Sequence, residues 1–143
     1  MEMQREFPAA PLAGVGAVVV WQGQVLLVER LRPPLEGYWS VPGGLIELGE
    51  EARAAAAREC LEETGIEVEI GELLAVVDRI EREPDGRIRY HYVIADFLAG
   101  PRPGSAPPQA ATDARRARWV AWEDLGGYRL TPGLHAVLAR APR

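Results

Sequence analysis

The sequence holds one cysteine, Cys60, no lysine, and no apolar run approaching a membrane span. A lone cysteine cannot close an internal disulfide, so the fold must rest on its core, and a reducing compartment suits it. Crossing a bilayer as a helix needs ~20 apolar residues, and no such segment is present. The N-terminal stretch MEMQREFPAAPLAG also lacks the long apolar segment of a secretory signal. Together these absences predict a cytoplasmic protein. Without lysine the cationic side chains are arginines, whose planar fork suits phosphate. A net charge of −5 removes any general attraction for nucleic acid or anionic lipid. Neither a nucleic-acid nor a membrane partner is expected.

What is present is a chain of 143 residues, 48% hydrophobic and 26% charged. That length suits one domain over residues 1–143 with a normal core. Residues 1–12, with Pro8 and Pro11, read as a loose lead-in. From Gly14 the run VGAVVVW is continuous and β-branched, like a strand buried on both faces. Gln22-Gly23 breaks it and QVLLVER answers as the second strand of a hairpin. LRPPLEGYWSVPGG is irregular, with a short strand at Trp39 to Val41. IEVEIGELLAVVDRIE resumes strand character with Gly71 as a bulge, and GRIRYHYVIADFLA pairs with it across EPDG. Alternation puts Tyr90, Tyr92, Ile94 and Asp96 on one face and Arg89, His91, Val93 and Ala95 on the other. A long Pro- and Ala-rich loop runs from Gly100 to Asp113. RARWVAWEDL forms a last strand and helical turn, and TPGLHAVLAR a terminal helix with Thr131 at N-cap and Pro132 at N1. This order of elements predicts an α+β or α/β/α fold.

The stretch the rest serves is Gly43 to Ile66, GGLIELGEEARAAAARECLEETGI. Its glycines allow a backbone to approach a ligand closely. A helix is predicted from about Glu50, with Glu50 and Glu51 in its first turn, to Gly65 at C′. Glu59, Glu62 and Glu63 stand at i, i+3 and i+4 and share a face. Ala54, Ala57, Cys60 and Leu61 are read as the opposite, core-facing strip, and Ala55 as open space near the acidic face. A solvated surface helix would show much the same pattern. Carboxylates this close repel one another unless a cation neutralises them, and hard ions such as Mg²⁺ are their usual partners.

Gly44, Glu50, Arg58, Glu59, Glu62, Glu63 and Gly65 fall at the spacing G-x5-E-x7-R-E-U-x-E-E-x-G-U, with U a bulky aliphatic residue. This resembles the signature of the Nudix hydrolases, with every fixed letter present and Cys60 at a U position. GYWSVPGG extends the likeness upstream, and HYVIADF adds a likeness to the ADP-ribose pyrophosphatase-like branch. The resemblance implies a mixed sheet sandwiched between helices. It implies an enzyme that hydrolyses a nucleoside diphosphate linked to another group, such as ADP-ribose, with Mg²⁺ or Mn²⁺ as cofactor. Carried over by position, Glu59 and Glu63 are metal ligands, Glu62 a further ligand or one acting through water, and the Gly43 carbonyl a backbone ligand. Arg58 pairs with Glu50 or another carboxylate and braces the helix.

For the general base, Glu62 comes first and Asp113 second, because DARRARWV carries arginines where relatives often have a Glu. Substrate contacts are expected from Arg30, Gly44, Tyr38 and Trp39, the aromatics weighed against a plain packing role. Arg79 and Arg89, like Arg30, are phosphate candidates weighed against solvated surface arginine, and His91 is a substrate contact weighed against a structural role. Glu81 stands where many of the branch carry a proline, which leaves room for a rival, a MutT-like nucleoside-triphosphate pyrophosphatase that clears oxidised nucleotides. A non-catalytic nucleotide-sensing module is the alternative of another class. The implied partner is a small nucleotide, and the family often forms homodimers.

Overall fold

The computed structural model describes residues 4–104 and 117–143. Seven strands and two helices follow one another as β1 Leu12–Trp21, β2 Gln24–Glu29, β3 Trp39–Ser40, β4 Gly43–Leu45, α1 Ala52–Thr64, β5 Val68–Arg82, β6 Ile88–Pro101, β7 Ala117–Ala121 and α2 Leu134–Leu138. A 3-10 helix over Trp122–Gly127 joins β7 to the C-terminal region.

The sheet runs β3-β2-β1-β6-β5, with β4 on β1 and β7 on β2. β1 and β6 are parallel over Leu12 to Val19 and Tyr92 to Ala99, and the other pairs are antiparallel. Burial of β1 on both faces explains its unbroken apolar run. Val15, Ala17 and Val19 pack toward α1, against Ala55, Ala56 and Cys60. Val18 and Val20 pack the other way, with Leu134, Val137 and Leu138 of α2. The mixed sheet between helices is therefore as expected, and the fold is α+β. Among the described residues no helix is long and apolar enough to cross a membrane.

Several local expectations are corrected. Helix α1 begins at Ala52, with extended Glu51 as N-cap, so its first turn has no acidic residue. Glu50 lies outside the helix because its carboxylate closes the preceding turn, accepting the Glu47 N–H at 3.0 Å. The buried strip of α1 is Ala55, Ala56, Cys60 and Thr64; Ala54 and Leu61 are exposed and Ala57 half-buried. The terminal helix is capped by Gly133 at φ 85° instead of by Thr131. Thr131 is buried and belongs to the preceding turn, its carbonyl accepting the Leu134 N–H. The lead-in is tethered: the Phe7 N–H bonds to the Arg89 carbonyl at 2.7 Å, and Arg87 stacks over the Phe7 ring. Gly65 at φ 75° and the β5 irregularity near Gly71 are as read from the sequence.

Candidate functional site

At ~100° per residue, Glu59 and Glu63 fall inside the arc defined by Ala55, Ala56, Cys60 and Thr64. They point at β4, and this is why α1 shows little amphipathic contrast. The Gly43 N–H donates to Glu63 Oε1 at 2.9 Å. A Cβ built on Gly44 would stand 2.5 Å from the Glu59 carboxyl carbon, so the chain needs glycine there for close approach. Glu62 lies at the margin of this face, with its side chain 58% exposed.

Arg58 ties the group together. Its Nε donates to Glu50 Oε2 at 2.7 Å and its Nη2 to Glu50 Oε1 at 2.9 Å. Nη2 also donates to the Leu45 carbonyl at 3.1 Å, and Nη1 to Glu59 at 2.8 Å and Glu62 at 3.3 Å. The hydrogen bonds from Arg58, helped by the Glu47 N–H, pull the Glu50 carboxyl down to about 2. The same pairing raises the Arg58 pKa.

These carboxylates line a cavity of about 650 Å³ together with Arg30 and Arg79. Arg30 Nε donates to the Pro34 carbonyl at 2.8 Å. Burial lowers the pKa of both guanidinium groups from the ordinary value, and arginine remains a cation nonetheless. Burial pushes the Glu63 carboxyl up to about 7; the Gly43 N–H opposes this and the Glu59 charge reinforces it. Asp96, on the cavity floor, is raised to about 6 by burial, opposed by Arg79.

Asp96 was not among the site residues read from the sequence. The available signal was an acidic residue on the inward register of Tyr90, Tyr92 and Ile94. Glu29, Ser40 and Glu47 likewise line the cavity without a sequence signature. Tyr38 and Trp39 are not among its lining residues. Tyr38 lies under Arg129 at 4.5 Å, and Trp39 packs edge-on to Tyr128 at 5.2 Å. Arg89 is exposed and pairs with Glu6 at 3.4 Å. His91 occupies the register opposite to the cavity floor. Asp113 lies outside the described residues.

Among the described residues no three His, Cys, Asp or Glu side chains are gathered as a ready metal cluster. The reason is visible: Arg58 holds Glu59 and Glu62, while the Gly43 N–H holds Glu63. The donor set still fits a hard divalent cation, being carboxylates and backbone carbonyls with neither thiolate nor imidazole. A cation would also relieve the cost of a buried, raised Glu63 beside Glu59.

Comparison with known proteins agrees with this arrangement. An ADP-ribose pyrophosphatase from Methanocaldococcus jannaschii is 30% identical over 115 residues, 80% of this chain and 64% of that protein. A Bacillus subtilis protein named "Putative 8-oxo-dGTP diphosphatase" is 45% identical over 103 residues, 72% of this chain and 59% of its own. The chain thus matches less than two thirds of the length of either relative. The crystal structure of a MutT NUDIX hydrolase from Burkholderia pseudomallei superposes with a TM-score of 0.75 at 34% identity, covering 93% of this chain and 99% of that one. The NUDIX domain model matches residues 10–141, from the start of the sheet to the last helix, so the chain belongs to the Nudix family.

Proposed function

We propose that this protein is a divalent-cation-dependent hydrolase that splits the P–O–P bridge of a nucleoside diphosphate linked to another group, with ADP-ribose or a similar nucleotide sugar as substrate. The observation that carries this reading is one cavity lined by Glu59, Glu62 and Glu63 and also by Arg30 and Arg79. Carboxylates alone would repel a pyrophosphate. Arginines alone would bind it without activating water.

Glu59, Glu63 and the Gly43 carbonyl would hold Mg²⁺ or Mn²⁺, with Glu62 as a further ligand or one acting through water. Such an ion, when bound, neutralises bridge oxygens and lowers the pKa of water. The chain's own groups do the rest. Arg30 and Arg79 pair with phosphate oxygens and orient the central diphosphate of the substrate. Water adds to one phosphorus, the bond to the bridging oxygen breaks, and the proton of the water passes to Glu62. Glu62 suits that task because it is exposed and can return the proton to solvent. Arg58 is a positioning residue: it holds Glu50, Glu59 and Glu62 in one array. Gly44 keeps the floor beneath Glu59 clear. The fully buried Cys60 suits a cytoplasmic setting.

A second reading, pyrophosphohydrolysis of an oxidised nucleoside triphosphate, is favoured by the identity to the Bacillus subtilis relative. A panel decides between them. Mg²⁺-dependent release of AMP and ribose 5-phosphate from ADP-ribose supports the first. Faster release of pyrophosphate from an oxidised triphosphate supports the second. Binding without turnover on the whole panel leaves only a sensing module.

A further inference from the structure

Asp96 on β6 is only 5% exposed, yet it lines the cavity. Beside it on the floor lie Ile94 and, on β5, Val77, the partner of Ile94 in the ladder. On β1 the residues next to Ile94 and Asp96 are Gly14 and Gly16. A Cβ on Gly16 would collide with Asp96 Oδ1 and press on Val41 Cγ2 at 3.1 Å. A Cβ on Gly14 would stand 3.3 Å from Ile94 Cγ1. The missing side chains of Gly14 and Gly16 leave room for Ile94 and for the Asp96 carboxylate, so the floor at Ile94 and Val77 is apolar and ends in a carboxylate that lies over Gly16.

Among the described residues no hydrogen bond or ion pair reaches that carboxylate, and Arg79 acts on it only through its charge. The carboxylate oxygens are open to the cavity and not sealed in the core, so a ligand can reach them. A ligand N–H would supply what the protein does not. Gly16 also pairs with Gly43, whose N–H holds Glu63. Asp96 therefore stands two strands from Gly43, the residue that meets Glu63, ~10 Å at the usual strand spacing. The ribose and base of a nucleotide can bridge that span.

We propose that Asp96 selects the base of the nucleotide: its carboxylate accepts N–H groups from the amino-bearing edge of adenine, cytosine or guanine and disfavours uracil, whose single N3–H is flanked by two carbonyls that repel the second carboxylate oxygen. This rests on the reading above only in taking the ligand to be a nucleotide. The apolar floor at Ile94 and Val77 takes the face of the ring. Asparagine at this position would offer either an acceptor or a donor, and so would tolerate both kinds of edge.

The test is equilibrium titration of the full chain with AMP, CMP, GMP and UMP, which contain no bridge to cleave. For the wild type, at least one amino-bearing nucleotide should bind about 10- to 100-fold tighter than UMP, as for a hydrogen bond to a charged group. In Asp96→Asn that ratio should fall to within about threefold, with the melting curve confirming a folded chain. Gly16→Ala, which displaces the carboxylate without removing it, should narrow the ratio too, and it decides the matter should Asp96→Asn unfold. Equal affinity for UMP, no measurable binding of any of the four, or an undiminished ratio in a folded variant overturns the proposal. Base discrimination without hydrolysis of any pyrophosphate would instead sink the hydrolase reading and leave this one standing.

Discussion

Arg58 grips Glu50 side-on, its Nε and Nη2 reaching the two carboxylate oxygens at 2.7 and 2.9 Å. The pair spans the turn before α1 and the helix itself, so it fixes where the helix starts relative to β4. Lysine cannot reproduce that fork. Arg58→Lys is expected to lower kcat/KM about 10- to 100-fold, as loss of a supporting shell does. An assay at saturating Mg²⁺ that gives wild-type rates would remove Arg58 from the positioning role.

The same pair has a pH signature. Glu50 is held at about 2 in the folded protein against an ordinary 4.5. A depressed carboxylate stabilises the fold fully above its unfolded value, and the stabilisation is lost as pH falls toward the folded one. Stability should therefore drop between pH 4.5 and 2, and Glu50→Gln should be less stable at pH 7 with a flatter acid limb. Urea melts across that range would show it.

Glu63 works in the opposite sense. Its folded value is raised to about 7 from 4.5. The unfolded chain loses that proton first, so the contribution to stability is full below pH 4.5 and gone above pH 7. Metal-free protein should melt several degrees lower at pH 8 than at pH 5, and Glu63→Gln should lose most of this slope, with Asp96 keeping a share up to about pH 6. Adding Mg²⁺ at pH 8 should restore the melting temperature of the wild type, and much less that of Glu59→Gln or Glu63→Gln. A Mg²⁺ response that survives both substitutions would place the ion elsewhere.

Glu62→Gln should lower kcat by about 100-fold or more, the scale of a lost general base, with little change in KM. Unaltered kcat at saturating Mg²⁺ would discard the assignment.

Gly44→Ala puts a methyl group 2.5 Å from the Glu59 carboxyl carbon. The carboxylate must swing away from β4. The expected result is a large loss of turnover and a weakened Mg²⁺ response with a melting temperature within a few degrees of wild type. Loss of the fold itself would show that the close approach serves packing first.

The sequence by itself determined the elements, because periodicity and glycine placement are local physics. The double-faced run of β1, the Gly65 stop and the Gly71 irregularity all came from chemistry within a few residues. The spacing of Gly44, Glu50, Arg58, Glu59, Glu62 and Glu63 was legible for the same reason, and so was the family it marks. Tertiary structure alone decided which side of α1 is buried. The acidic and apolar residues share one arc, and an amphipathic wheel cannot separate a face turned to solvent from one turned to a cavity. It also decided that Tyr38 and Trp39 pack away from the site, and that Asp96 enters it. Both outcomes depend on which strands lie side by side: the parallel pairing of β1 with β6 brings Gly16 beside Asp96, across 80 positions of chain. No local pattern encodes a contact at that separation.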